Sequence, residues 1–377
     1  MKIVLTGVET ENKGAELMLY AILQEIERRF QNAEVYISPN SNAQGLDYIH
    51  TNVKLRYWPF EHFAMKTHLS GILRILHLPT KIVTDYYAVA ADYCLDGSGF
   101  CFSDQCKLWG REPGWWERLL KRQYNHGAKI VFLPQAFGPF EMDLTKDALK
   151  VLNRYASIIM PREKTSYKYL EESGLVNMDK VKMFTDFTSL VDGIFPAQFE
   201  HLKNSICIIP NIRMIEKGVL SFDDYKQLLA SIIKKGKESG HVVYLLNHEG
   251  EKDKQLAMEL KFGLQEEIEV VTGLNALETK GLIASAYALI SSRFHGIASA
   301  LNSCVPCLAT SWSHKYQELF NDYGLNDRLL PLNDFDEAMA KVDDLFYEKK
   351  NQELRDFLAW RVPLIKAETK RMWKLVW

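Results

Sequence analysis

Two doubly wound α/β domains facing each other across a cleft are what this sequence predicts, and three observations carry that expectation. Short apolar runs rich in β-branched residues alternate with amphipathic stretches, the pattern of strand–helix–strand units and parallel sheets. The pattern starts afresh near residue 200, after "VDGIFPAQ". A chain of 377 residues also exceeds one ordinary core. The expected division is 1–195, 196–335, and a helical tail over 336–377 packing back across both domains.

In the first half, "KIVLTGV" reads as a strand buried on both faces. The loop "ETENKG" leads into "AELMLYAILQEIERRF", where Leu19, Leu23, Ile26 and Phe30 repeat at helical spacing. "AEVYIS" and "VKLRYW" are the next strands, and residues 59–90 mix aromatic, basic and aliphatic types without a clear period. "DYCLDGSGF", "AKIVFLPQAFGPF" and "ASIIMPREKTS" then read as strands running into loops, and "VKMFTDFT" repeats the form more weakly. In the second half, "SICIIPNIR", "HVVYLLNHEG", "EIEVVTG", "YALISSRFHG" and "VPCLATSWS" are five strand-and-loop units. "DDYKQLLASIIKKGKES" and "KDKQLAMELKFGL" are helices between them, and the tail to "KRMWKLVW" is helix former broken at Pro363.

Composition narrows the function classes. Apolar residues are 47% and charged residues 25%, with a net charge of −2, so a nucleic-acid partner is not expected. No apolar run approaches the roughly 20 residues that span a bilayer, and "MKIVLTGVETENKG" lacks the pattern of a signal peptide. A cytoplasmic protein is expected. The six cysteines are scattered, and "CVPC" at Cys304 to Cys307 has redox or zinc spacing without a second pair, so small core residues are the better reading.

The polar residues that matter fall in loops after strands, where open α/β sheets bind ligands. In the first half these are Asn12, Gly14, Glu16, Asp96, Ser98, Gln135 and the pair Arg162–Glu163. In the second they are Arg213, His248, Arg293, His295, His314 and Lys315. Asn12 either caps the following helix or meets a ligand, and "DGSGF" is either a tight turn or an anion loop. "NHEGEKD" reads as a solvated loop with His248 a candidate contact. "SRFH" is the sharpest signal. Arg293 offers a planar fork for carboxylate or phosphate, and His295 suits proton transfer near neutral pH. A helix starting at His295 or Gly296 adds N–H donors toward an anion. A small, doubly anionic substrate with an acid–base histidine is the expectation; a satisfied core histidine is the alternative.

Taken in order, "ENKGAEL", "DGSGF", "LPQAFGPF", "MPREKTS", "SSRFHGIASALNSCVPCLATS" and "SHKYQELF" resemble the polysaccharide pyruvyl transferase family, over nearly the whole chain to about residue 322. The resemblance implies a glycosyltransferase-B-like pair of Rossmann-like domains, with the acceptor on the first and the donor on the second. It implies transfer of pyruvate from phosphoenolpyruvate to two hydroxyls of a sugar, giving a cyclic ketal, with no cofactor and no metal. It assigns Arg162, Arg293 and Lys315 to the donor and His295 to proton transfer. It leaves Asn12, Gly14, Glu16, Asp96, Ser98, Gln135, His248 and His314 as donor or acceptor contacts. Two positions depart from the family pattern: Gly14-Ala15-Glu16 replaces Gly-Asp-Glu, and Phe294 replaces an aliphatic residue. The rival reading is a nucleotide-sugar glycosyltransferase of the same fold, with Arg293 and Lys315 on the diphosphate. The acceptor is a sugar or a lipid-linked oligosaccharide of a cell-surface or capsular polysaccharide. "WGREPGWWERLLKR" suits sugar stacking or, with residues 59–90, peripheral contact at the inner face of the membrane; the alternative is a core helix with Trp116, Leu119 and Leu120 inward.

Overall fold

The computed structural model describes residues 1–10, 12–37, 54–56, 89–263, 267–311, 313 and 315–377. Most of the unassigned stretch 59–90, as well as His314, therefore lies outside the described residues. The chain forms two compact units. The first comprises Met1–Thr10, Met18–Phe187 and Met372–Trp377; the second comprises Glu11–Leu17 and Thr188–Arg371.

In the first unit the apolar runs become β1 (Lys2–Thr6), β2 (Glu34–Ile37), β3 (Lys54–Arg56), β4 (Tyr93–Asp96), β5 (Lys129–Gln135) and β6 (Ile158–Pro161). They form one parallel sheet in the order β3-β2-β1-β4-β5-β6. The helices α1 (Lys13–Arg29), α2 (Pro113–Asn125), α3 (Asp143–Tyr155) and α4 (Lys164–Ser173) connect them, the first turn of α1 grouping with the second unit. Trp116, Leu119 and Leu120 of α2 pack with Leu149 and Leu152 of α3 against Ile130 and Phe132, so the core reading of that helix holds for these three residues. The reading of "VKMFTDFT" as a strand does not hold. Only Val181 bridges to Ile159 and the chain then enters a short 3-10 turn over Phe187–Leu190, because exposed Lys182 and Met183 give no alternation to bury.

The second unit holds β7 (Ile206–Ile209), β8 (Val243–Leu246), β9 (Glu269–Val271), β10 (Ala288–Ser291) and β11 (Cys307–Ala309), a parallel sheet in the order β11-β10-β7-β8-β9. Its helices are α5 (Arg213–Glu216), α6 (Phe222–Glu238), α7 (Gly250–Gly263), α8 (Ala276–Ala284), α9 (Phe294–Asn302), α10 (Lys315–Asp322), α11 (Phe335–Phe346) and α12 (Glu348–Val376). Side chains alternate across a strand. Cys207, Ile209, Tyr244, Leu246 and Leu289 therefore join α8, α9 and α12 on one face, while Ile206, Ile208, Val243, Leu245 and Ile290 join α6 and α11 on the other. Burying both faces explains why these strands read as continuous apolar runs; each fully buried Leu or Ile contributes about 1.5–3 kcal/mol.

Pro363 does not break the tail, contrary to the sequence expectation: α12 runs through it. The proline is exposed, so the carbonyl it leaves without a partner faces the solvent side, while Leu354, Leu358, Val362 and Ile365 hold the helix from the buried side. Cys304 is half-buried and Cys307 buried in β11, and all the cysteines are free thiols.

Candidate functional site

In each sheet the chain order reverses once, between β1 and β4 and between β7 and β10, so the loops on either side leave in opposite directions. Ligands bind outside such carboxyl-end switch points.

At the second unit's switch point the loop after β10 is tied on several sides. Ser292 donates its N–H to the Ile209 carbonyl at 3.0 Å, and its own carbonyl accepts from Asn211 Nδ2 at 2.7 Å and from the Tyr316 hydroxyl at 2.6 Å. Its hydroxyl meets Tyr225 Oη at 2.6 Å and also pairs with Thr310. Burial pushes the Tyr225 phenol up to about 12, so it stays neutral there. This network fixes the backbone that presents Arg293 and His295.

Arg293 is the N-cap residue of α9, which starts at Phe294, one residue before His295 and two before Gly296. Its Nε and Nη2 lie 2.8 and 2.5 Å from Asp253 Oδ2, and Nη1 pairs with Glu249. Asp253 is buried and also accepts the Ile212 N–H at 3.0 Å. Burial pushes its carboxyl above the usual range, against the pull of Arg293 and that N–H. Glu249 is the more exposed partner, at 30%. The "NHEGEKD" segment is thus not a solvated loop: it supplies both carboxylates that hold the arginine. Neither was singled out in the sequence, although an acidic pair four apart at a helix start is the signal that shows them on one face.

Glu249 forms an antiparallel bridge with Asn12, which brings the start of α1 to the same place. Asn12 Oδ1 accepts the N–H groups of Gly14 and Ala15 at 2.8 and 3.1 Å, the capping role anticipated as one alternative. Gly14 lies against His295: a Cβ there would stand 2.1 Å from the imidazole Nδ1. Lys13, also missed in the sequence, pairs with Glu16 at 2.7 Å. Glu16 is buried and accepts the Ala276 N–H at the start of α8, 3.2 Å away. Burial pushes its carboxyl up, with Lys13 opposing.

His248 sits 5% exposed beside this group. Its Nδ1 is buried with no hydrogen-bond partner among the described residues. Burial, then the positive charge of Arg293, His295 and Lys13, holds it well below the ordinary value of 6.5. Above that value the imidazole is neutral in both the folded and unfolded chain. As pH falls through 6.5 the unfolded chain gains a proton that the folded one refuses, so stability is lost on the acid side. The fall in Tm between about pH 7.5 and about pH 5.5 should therefore be smaller in His248→Gln than in the wild type; equal falls would show that His248 does not resist protonation.

Of the other candidate residues, Asp96, Ser98, Gln135 and Arg162 lie in the first unit and Lys315 in the second. Asp96, at the end of β4, is 2% exposed and accepts from Thr6 at 2.7 Å, the Ser98 hydroxyl at 2.8 Å, the Ser98 N–H at 3.2 Å and Gln135 at 2.8 Å. Burial pushes its carboxyl up against these bonds. Asp96, Ser98 and Gln135 thus form one internal knot across β1, β4 and β5. Arg162 follows β6, buried, 3.5 Å from Glu163 and 3.6 Å from Asp186. Lys315 begins α10 and is buried. Among the described residues no three His, Cys, Asp or Glu gather as metal ligands, and no helix is long and apolar enough to cross a membrane.

The sequence profile of the polysaccharide pyruvyl transferase family matches residues 12–314. No curated protein matches the sequence. Among solved structures, a putative UDP-N-acetylglucosamine 2-epimerase from Listeria monocytogenes aligns over 98% of this chain and 94% of its own, at 13% identity and TM-score 0.60. The Neisseria meningitidis UDP-GlcNAc 2-epimerase bound to UDP-GlcNAc aligns over 99% of both chains, at 9% and 0.59. WaaG, a glycosyltransferase of lipopolysaccharide biosynthesis, aligns over 100% and 99%, at 11% and 0.55. These likenesses show a fold shared with B-type glycosyltransferases and sugar epimerases.

Proposed function

The chain belongs to the polysaccharide pyruvyl transferase family, and from that premise we propose that it moves the pyruvyl group of phosphoenolpyruvate onto two hydroxyls of one sugar as a cyclic ketal. The sugar belongs to a cell-surface polysaccharide or its lipid-linked precursor, and the reaction takes place on the cytoplasmic side. The observation that carries this reading is the close approach of Gly14 to His295 beside Arg293, which places an imidazole, a guanidinium and the amide end of α9 together at a strand's carboxyl end.

In this scheme His295, as imidazolium, gives its proton to C3 of phosphoenolpyruvate. C2 becomes electrophilic and an acceptor hydroxyl adds there, passing its proton to the imidazole. The second hydroxyl then closes the ketal as the C2–O bond to phosphate breaks, its proton leaving with the phosphate. Proton transfer by a positioned side chain contributes about 10²- to 10⁴-fold. Arg293 and the α9 amides hold the donor's anionic groups, the arginine kept in orientation by Asp253. Lys315 is a further donor contact. The scheme calls for no metal or cofactor.

Glu249 occupies an Nη1 that an incoming phosphate or carboxylate would use. Releasing this part-exposed pair costs about 1 kcal/mol, so Glu249→Gln should tighten phosphoenolpyruvate binding roughly fivefold by calorimetry. Weaker binding would mean that the carboxylate orients Arg293 rather than competes for it.

The decisive experiment is calorimetry and thermal shift with phosphoenolpyruvate beside a panel of nucleotide sugars, on wild type and Arg293→Ala. Binding of phosphoenolpyruvate that is lost in Arg293→Ala supports the reading. Stabilisation by a nucleotide sugar alone would overturn it in favour of glycosyl transfer.

A further inference from the structure

The segment after β4 carries a second constellation that the donor chemistry leaves unused. Between β4 and α2 the chain runs over the carboxyl end of the first sheet. It is pinned to the loop after β5 by Ala136 N–H to Gly99 O at 2.9 Å, Gly138 N–H to Phe102 O at 2.9 Å and Asp104 N–H to Pro139 O at 3.1 Å. Asp104 then accepts the N–H groups of Glu141 at 2.6 Å and Met142 at 3.3 Å. On this rigid base Lys107, Leu108 and Trp109 all take left-handed conformations, with φ of 46°, 53° and 52°, followed by Gly110 at 74°. Three successive non-glycine residues in that region are held there only by the structure around them, and such outliers cluster at ligand sites. The result is that Leu108 is fully buried while Trp109 is turned out, 46% exposed.

Arg111 lies among three indoles, its guanidinium carbon 4.6 Å from the Trp115 ring centre, 5.7 Å from Trp116 and 6.0 Å from Trp109. Among the described residues it forms no ion pair, unlike Arg162 and Arg293. Its Nη1 and the neighbouring Trp116 Nε1 are buried donors with no acceptor among the described residues. A buried donor without an acceptor is costly; Trp116 lies wholly within the core, but the half-buried Arg111 beside an exposed indole calls for an oxygen-rich partner with an apolar face. A pyranose ring has both: C–H groups on one face to stack on the indole, and hydroxyl or carboxylate oxygens at its edge to accept from the arginine.

Resting on the pyruvyl-transfer reading for its substrate class, we propose that the Trp109–Arg111–Trp115 box binds the acceptor glycan. It would hold a sugar unit on the Trp109 face and an oxygen of that unit on Arg111. The box belongs entirely to the first unit, so its occupation can be measured apart from the donor.

The test is tryptophan-fluorescence titration of the whole chain with neutral hexose, N-acetylhexosamine and uronate oligosaccharides, using wild type, Trp109→Ala and Arg111→Gln. Trp109 is exposed, so its alanine variant keeps the core. At least one oligosaccharide should bind, at least tenfold more weakly to Trp109→Ala and to Arg111→Gln, with phosphoenolpyruvate affinity unchanged within about twofold. Preference for the uronate arm identifies a carboxylate at Arg111, and preference for a neutral arm a hydroxyl. The proposal is overturned if no oligosaccharide binds, if Trp109→Ala binds as well as wild type, or if Trp109→Ala instead loses binding to vesicles of anionic phospholipid. Failure of the pyruvyl-transfer reading shows separately, as wild type that does not bind phosphoenolpyruvate.

Discussion

Gly14→Ala is expected to lower phosphate release from phosphoenolpyruvate by about 10²-fold while leaving the fold intact. The added methyl would stand 2.1 Å from His295 Nδ1 and 2.8 Å from Cε1 and Cγ of the same ring, so one of the two must move. Gly14 lies in the first turn of α1, held by the Asn12 cap, and its position is fixed by the bridge to Glu249. The ring of His295 is the softer party. A reacting group displaced by about 1 Å loses on the order of 10²-fold. Stability should change little, because alanine in a helix is favoured over glycine by about 1 kcal/mol, offsetting part of the crowding. The control is the double variant: once His295 is alanine there is no ring to displace, and Gly14→Ala should have almost no further effect. Full activity in Gly14→Ala, or equal losses in both backgrounds, would mean that the close approach has no catalytic meaning.

That glycine also marks how far the sequence could be read. The strands were legible because both faces of each sheet are covered, which leaves apolar runs such as "ICII" and "VYLL" with nothing polar inside them. The "SRFH" junction was legible because charge at the end of such a run has to face a loop. Its partners were not. Glu249 and Asp253 lie some forty positions before Arg293, and their spacing in "NHEGEKD" puts them on one helix face without saying that an arginine meets that face. The same holds for Lys13, which meets the site only because Asn12 bridges to Glu249. "DGSGF" left a tight turn and an anion loop both open, and Asp96 already fills that loop by accepting from Thr6, Ser98 and Gln135. Local pattern reveals where a strand ends; which distant side chains meet there is decided by packing. Pro363 makes the converse point, since a strong local signal for a break yields to a buried face that continues past it.

A large loss of stability is expected at Gly281. In α8 its Cα faces the backbone of the segment Gly193–Phe195: an added Cβ would lie 2.3 Å from the Ile194 carbonyl carbon and oxygen, and 2.6 Å from the Phe195 nitrogen. The approach is mutual, since a Cβ on Gly193 would meet the Gly281 nitrogen at 2.3 Å. No side chain can rotate away, and Ile194 N–H is already committed to the Leu277 carbonyl at 2.9 Å. Gly281→Ala should therefore cost about 3 kcal/mol, at the upper end of what overpacking does. For a unit of this size that is a fall in Tm of roughly 6–12 °C. Gly114→Ala in α2 is the matched control, because the nearest atom to its new methyl is Arg118 Nη1 at 3.7 Å, and there the substitution should be neutral or stabilising. The consequence reaches the site as well. The N-terminus of α8, closed by the Asn275–Glu278 capping box, presents the Ala276 N–H that Glu16 accepts. If Gly281→Ala folds at low temperature with α8 shifted, Glu16 loses that bond and the first turn of α1, which carries Gly14, loosens against His295. Activity at about 15 °C should then fall together with Tm. A variant that loses stability but keeps full activity would show that α8 braces the fold without positioning the histidine.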